Sequence, residues 1–297
     1  MNHPLLEDRR EDLSVDEAYR VCARVARTEA RNFYYAFLPL RPRRRRALYA
    51  VYAFARLADD LADEPDRPLP ERMARLDELE QRLTAMLDGR PTGAVFLALA
   101  DAVRRFGIPG HALHELLTGM RQDQNISRFA TFEDLREYCY LAAGTMGLAC
   151  AAIFEASGPQ ASDYAVAQGL GMQLVNIMRD VREDAEVGRI YLPRDLMAAH
   201  GVTEEDIRAG RSDTGWRELM RDLAARARTA LDDGARLLPL TARDARICPA
   251  LLADLYTTIL DRIEAADWEV FDRRVELSLV TKLHLLVTAF WRHRVRA

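Results

Sequence analysis

Apolar residues recur at intervals of three and four over ten stretches of the chain, residues 15–37, 45–62, 70–87, 95–106, 111–120, 132–156, 162–183, 214–238, 249–270 and 278–294. That period marks one face of an α-helix, and no segment alternates apolar and polar residues as a half-buried strand would. Turn formers separate the stretches: Pro42, Glu64-Pro65-Asp66, Gly89-Arg90-Pro91, Gly107-Ile108-Pro109-Gly110, Gly158-Pro159 and Gly188. Thr131 and Thr203, each with acidic residues in the three positions that follow, read as helix N-caps. The connections are short, none is rich in Gly or Ser, and no repeat recurs. The pattern therefore predicts one all-α domain over residues 1–297, with its core at about 15–294.

Two acidic patterns interrupt this apolar period. On a helix, Asp59 sits over Asp63, and Asn176, Asp180 and Asp184 form a second stripe. Like charges four apart cost a helix roughly 0.2–0.5 kcal/mol per pair. One such pair reads as a solvated acidic turn. Two sets, each on an otherwise apolar segment, predict a cation between the helices. An all-oxygen donor set favours Mg²⁺, with Mn²⁺ as the alternative, over zinc. Magnesium held by few carboxylates keeps waters and a substrate phosphate in its shell, so a phosphorylated ligand is expected.

At 297 residues with 49% hydrophobic content, the chain can bury a large core. Its net charge is −4, and Lys282 is the single lysine among 42 basic residues. Arginine bias without a basic excess gives no support for a nucleic-acid partner. Cys22, Cys139, Cys150 and Cys248 lack CxxC spacing and read as buried thiols of a cytosolic protein. The first 15 residues lack the basic and apolar regions of a signal peptide. The charge-free run at 138–154 is interrupted by Gly144 and Gly147 and falls short of the roughly 20 residues that cross a membrane. A cytoplasmic protein is expected, with peripheral membrane contact at most. Arg41 to Arg46 reads as a solvated or lipid-touching basic face, and Phe290 to Arg294 as a segment that grazes a membrane surface. His111 and His114 have no metal-ligand partners nearby.

Residues 52–64 resemble the first aspartate-rich motif of the squalene/phytoene synthase family, and residues 171–181 with 188–193 resemble its second signature. The likeness runs from about Glu29 to Lys282. It implies an all-α isoprenoid synthase (prenyl-transferase) fold around a central cavity and a head-to-head joining of two allylic prenyl diphosphates. Mg²⁺ would be held by Asp59, Asp63, Asp180 and Asp184 with Asn176. Arg56, Arg179, Arg189, Gln173 and Asn176 would face the diphosphate. Tyr52, Tyr138, Tyr191 and Tyr256 fall where the family's reaction chamber is lined, and ring faces suit a carbocation because they are electron-rich without being nucleophiles. Arg273 falls where a diphosphate contact is expected, and Asn32 where many relatives have Ser. The small residues at 142–149, Ala142 and Gly147 among them, leave room for prenyl tails or, equally, allow close helix packing.

Phe37 and Tyr49 resemble positions at the floor of the family's tail pocket, where bulk suits a shorter, farnesyl-length tail. The expected reaction is thus condensation of farnesyl diphosphate through a presqualene-type cyclopropylcarbinyl diphosphate to squalene or a related C30 product, with NADPH needed only if the reaction continues to squalene. The alternative is a phytoene synthase using geranylgeranyl diphosphate. A non-enzymatic alternative is a helical assembly factor of the kind that has lost the aspartates, but here all four are intact. A di-iron bundle would need Glu-x-x-His pairs, and none occurs. Prenyl diphosphates are the expected partners, with membrane contact for product release; the oligomeric state is left open.

Overall fold

Polar caps and prolines start the helices where the apolar period begins. The computed structural model describes residues 3–292 other than 9, 11, 65, 66, 126 and 127, with the side chains of 7, 31, 32 and 125 also outside the description. The break expected at Glu64-Pro65-Asp66 thus lies partly outside the described residues. Helix α1 (Pro4–Glu7) is one turn, and α2 (Val15–Glu29) begins at a capping box formed by Ser14 and Glu17. The short α3 (Arg31–Phe37) leads to α4 (Pro42–Ala62), whose Pro42 occupies the first turn, where no amide donor is needed. Next come α5 (Leu69–Leu87), α6 (Gly93–Phe106) and α7 (Gly110–Asn125). From the capping box of Thr131 and Asp134, α8 (Phe132–Cys139) runs through a π-turn at Tyr140–Gly144 into α9 (Thr145–Ile153). Then follow α10 (Ala161–Arg179), α11 (Val181–Glu186), α12 (Arg194–Ala199) and α13 (Glu204–Arg208), the last capped by Thr203 as expected. The chain closes with α14 (Thr214–Ala235), α15 (Ile247–Ala265) and α16 (Leu279–Phe290). Among the described residues there is no strand, only an isolated bridge between Arg128 and Ile190.

Several stretches expected as single helices are divided. The stretch 15–37 bends at Ala30 (ψ 0°), which turns Phe33 and Phe37 toward the interior. Within 132–156 the amide of Thr145 bonds to Tyr140, five residues back, inserting the π-turn. The stretch 162–183 breaks at Asp180. Bonds from Asp180 N to Asn176 O and from Asp184 N to Asp180 O, both 2.9 Å, keep the four-residue spacing, so the acidic stripe survives the bend. The stretch 249–270 stops at Ala265 because Asp267 and Trp268 take positive φ, which brings the Trp268 carbonyl to the indole N–H of buried Trp216 at 2.9 Å. Helix α16 ends at Phe290, and residues 293 and 294 lie outside the described residues.

Helix α4 is central, packing on α2, α5, α6, α7 and α9. Leu48, Phe54, Leu57 and Leu61 on it are fully buried, each worth about 1.5–3 kcal/mol relative to exposure. The basic run is laced with ion pairs. Arg44 is buried and pairs with Glu155 and Asp244, both at 2.6 Å, while Arg41 pairs with Asp244, Arg43 with Glu155 and Arg46 with Asp16. These pairs tie α4 to neighbouring elements; Arg44 is taken into the interior, while Arg41, Arg43 and Arg46 stay exposed, as a solvated basic face would be. All four cysteines are unpaired, and burial pushes the Cys22 thiol up to about 12. No helix among the described residues is long and apolar enough to cross a membrane.

Candidate active site

Asp123, near the end of α7, joins the two acidic stripes. It interacts electrostatically with Asp59 and Asp63 at the end of α4 and with Asp184 on α11. Arginines lie between these carboxylates. Arg189 bridges Asp63 at 2.8 Å and Asp123 at 3.2 Å. Arg56 reaches Asp59 at 3.2 Å and Asp60 at 2.6 Å, and His3 lies 3.4 Å from Asp60. Arg179 forks onto Asp180 at 2.7 and 2.5 Å, while Arg274 reaches Asp180 at 2.9 Å and Glu183 at 3.2 Å. Asp60 and Glu183, which lie off the two stripes, are thus engaged by arginines as well. Arg182 instead bonds to the Phe271 carbonyl and pairs with Glu186, a structural role.

Neutralisation is uneven. Burial in the cleft, then the Asp63 charge, raises the Asp59 carboxyl to about 6. Burial, then Asp180 and Asp123, raises Asp184 to about 7. Burial likewise raises Asp123. Two carboxylates held above their usual range by burial and by neighbouring carboxylates belong to an oxygen donor set whose repulsion a divalent cation would relieve, so the residues fit such an ion. Among the described residues no three acidic, His or Cys side chains form a group able to hold an ion alone. An ion here would need waters and substrate oxygens, as magnesium commonly does.

A pH test follows. Unfolded aspartates titrate near 3.9. Between about pH 4 and pH 7 the folded, metal-free protein therefore binds more protons at Asp59 and Asp184 than the unfolded chain, and this contribution makes stability fall as pH rises through that window. Millimolar Mg²⁺ is expected to raise the melting temperature more at about pH 8 than at about pH 5.5. Equal gains in calorimetry at both pH values would contradict the assignment.

The aromatic residues fall into two groups. Phe129, Tyr138 and Tyr191 cluster with ring centroids 5.3–6.0 Å apart, Tyr191 stacked on the other two, and the hydroxyls of Tyr191 and Tyr138 both bond to Asp123. Burial, then the Asp123 charge, pushes the Tyr191 phenol well above its usual range. Phe33 stands between Tyr52 and Tyr256, 6.3 Å from each, and Tyr256 also bonds to Asn176.

This second group separates two adjoining compartments. One, about 370 Å³ and mainly apolar, is lined by α4 from Asp59 to Leu48 and by α10 from Asn176 to Ala165. Eleven residues of helix rise about 16 Å, which sets its depth. Ala142, Gly147 and Phe37 face it, as does Gln173. The other, about 630 Å³ and more polar, is bounded by Glu29, Tyr35, Arg179, Arg274 and Lys282. Phe33, Tyr52, Asn176 and Tyr256 border both.

Two expectations change. Tyr49 is not a cavity residue: it stacks on Tyr34 at 6.2 Å and backs Phe37 from behind. Arg273 is exposed, and its neighbour Arg274 is the one brought to the acidic cluster. The Asn32 side chain lies outside the described residues. Asp123, Phe33, Phe129 and Arg274 were not identified from sequence. The one available signal for Asp123 was the polar run Arg121 to Asn125 closing an amphipathic segment.

Comparison with known proteins agrees with this architecture. A family model described as squalene/phytoene synthase matches residues 26–281. A 15-cis-phytoene synthase of Synechocystis sp. is 37% identical over 298 residues, covering 95% of this chain and 87% of that protein. Phytoene synthase 1, chloroplastic, of Arabidopsis thaliana is 37% identical over 282 residues, 92% of this chain and 66% of that protein, so the chain spans about two thirds of that relative. A crystal structure of a dehydrosqualene synthase in complex with ligand superposes with TM-score 0.86 at 31% identity, covering 93% of this chain and 96% of that one.

Proposed function

Because the chain belongs to the squalene/phytoene synthase family and is a prenyl transferase of that type, we propose that it joins two molecules of geranylgeranyl diphosphate head to head to give phytoene. The observation that carries the choice of tail is the apolar compartment, which follows α4 from Asp59 to Leu48 with Phe37 as the one bulky residue of the expected pair in its wall. The bulk argument for farnesyl diphosphate needed Tyr49 as well, and Tyr49 stands behind the wall. The phytoene synthases among the relatives support the same reading.

Asp59, Asp63, Asp180 and Asp184, with Asn176, would hold Mg²⁺, which when bound neutralises the departing diphosphate. Arg56, Arg179, Arg189 and Arg274 bind and orient the phosphate groups, trading a carboxylate partner for a phosphate oxygen. Gln173 and Asn176 orient groups at the polar end of the tail compartment. Phe33, Tyr52 and Tyr256 present ring faces where the allylic cation forms and exclude water from it. The C1 cation of one substrate is captured by the C2=C3 double bond of the other with loss of diphosphate and a proton. This gives a cyclopropylcarbinyl diphosphate, and its ionisation and rearrangement, with loss of a second proton, give the 1′-1 linked product without reductant.

The dehydrosqualene synthase likeness favours a second reading, in which two farnesyl diphosphates react. Purified protein with Mg²⁺ and each diphosphate, with and without NADPH, separates them by product mass. A C40 hydrocarbon formed from geranylgeranyl diphosphate without NADPH is expected, and Phe37→Trp should shift preference toward the shorter substrate. Faster conversion of farnesyl diphosphate to a C30 product by the unmodified protein would overturn the proposal. Phe37→Ala should cost about 3 kcal/mol, the low end for a buried Phe, because a cavity already adjoins it.

A further inference from the structure

Helix α16 is apolar on both sides. Leu285, Leu286 and Ala289 pack inward on the core. Outward, Val280, Leu283, Val287 and Phe290 recur at three and four residues, forming one stripe that continues into Trp291. Val280 is 77% exposed, Val287 55% and Trp291 60%. Six of the nine exposed large hydrophobic side chains among the described residues fall between Leu279 and Trp291, so the apolar surface is concentrated here. Charge sets the segment apart as well. Residues 277–297 contain Lys282, Arg292, Arg294 and Arg296 and no acidic residue, in a chain of net charge −4. Arg292 pairs with Asp254 at 3.0 Å yet remains half exposed. The helix also borders the larger compartment, where Lys282 lies over the Tyr35 ring at 5.7 Å and Leu277 completes the wall.

We propose that α16 docks the protein onto an anionic lipid surface, its outward stripe entering the boundary between headgroups and acyl chains and its basic end lying among the headgroups. Apolar exposure, basic charge and a terminal tryptophan together match an interfacial helix. A second copy of the chain is the poorer occupant, because two-fold pairing through this helix would set its basic residues against themselves. Docking here places the rim of the larger compartment against the lipid, whichever prenyl chain the enzyme uses.

The test uses the intact protein and vesicles of phosphatidylcholine, with or without phosphatidylglycerol. Flotation with the anionic vesicles, weakened by salt, is expected. Tryptophan emission should shift to the blue on binding, and Trp291→Phe should lose that shift, because Trp216 and Trp268 are buried. The double substitution Val280→Asp, Val287→Asp should lower partitioning at least about tenfold, with turnover of detergent-dispersed substrate unchanged. Undiminished flotation of that variant would overturn the proposal. So would a wild-type protein that ignores vesicles and sediments as a dimer that the double substitution dissociates.

Discussion

Asp59→Asn and Asp184→Asn are each expected to lower turnover at least about 10²-fold, equivalent to about 2.7 kcal/mol of transition-state stabilisation, while the melting temperature of the metal-free protein holds or rises. Both carboxyls are raised by burial and by neighbouring carboxylates, so an amide relieves repulsion in the resting fold and removes a ligand in the reacting one. Asp180→Asn should behave differently. Asp180 receives both Arg179 and Arg274, and its loss leaves two guanidinium groups short of a partner, so activity and melting temperature should fall together. Steady-state kinetics alongside calorimetry distinguish the two patterns, and full activity in Asp59→Asn would remove the basis for a metal site.

Asp123→Asn is expected to reduce turnover by about 10- to 100-fold, corresponding to loss of one charge-assisted interaction of about 1.5–3 kcal/mol. The amide keeps the shape but drops the charge that holds Arg189 and accepts from Tyr191. Arg189 would then rest on Asp63 alone and draw that carboxylate away from an incoming ion. Tyr191→Phe keeps the Asp123 charge and should lose less. If Asp123→Asn turns over normally and Tyr191→Phe does not, the tyrosine acts on its own and the carboxylate is only its neighbour.

The aspartate stripes were legible because a charge repeated every four residues on an apolar helix contradicts its own surroundings, a contradiction visible without knowing what lies opposite. Asp123 carries no such mark. It is one polar residue in a polar run, and its importance comes from α7 meeting the segment around Arg189, a contact across 66 positions of chain. Arg273 and Arg274 sit in the irregular stretch between α15 and α16, where no period says which of two adjacent side chains turns inward. Tyr49 was misplaced by one layer: a helix face tells which residues are buried, not which of them a cavity reaches. The long helices were read well, and their internal breaks at Ala30, Tyr140–Gly144 and Asp180 were not, since no proline or glycine pair announces Ala30 or Asp180.

At its glycines, one wall of the apolar compartment has almost no freedom to change. A methyl group added at Gly147 would sit 2.3 Å from the Ala165 carbonyl oxygen, and one at Gly169 would sit 2.4 Å from that of Ala143. At Gly234, where α14 crosses α10, it would meet the Gln168 backbone at 2.6 Å. Here backbone lies on backbone, and even one carbon has nowhere to go. The opposite wall is made of side chains, Phe37, Leu48 and Val51, which can be exchanged for larger or smaller ones. The compartment therefore has rigid points at these glycines and an adjustable face on α3 and α4, so substitutions that retune its length are expected at Phe37, Leu48 and Val51 rather than at the glycines.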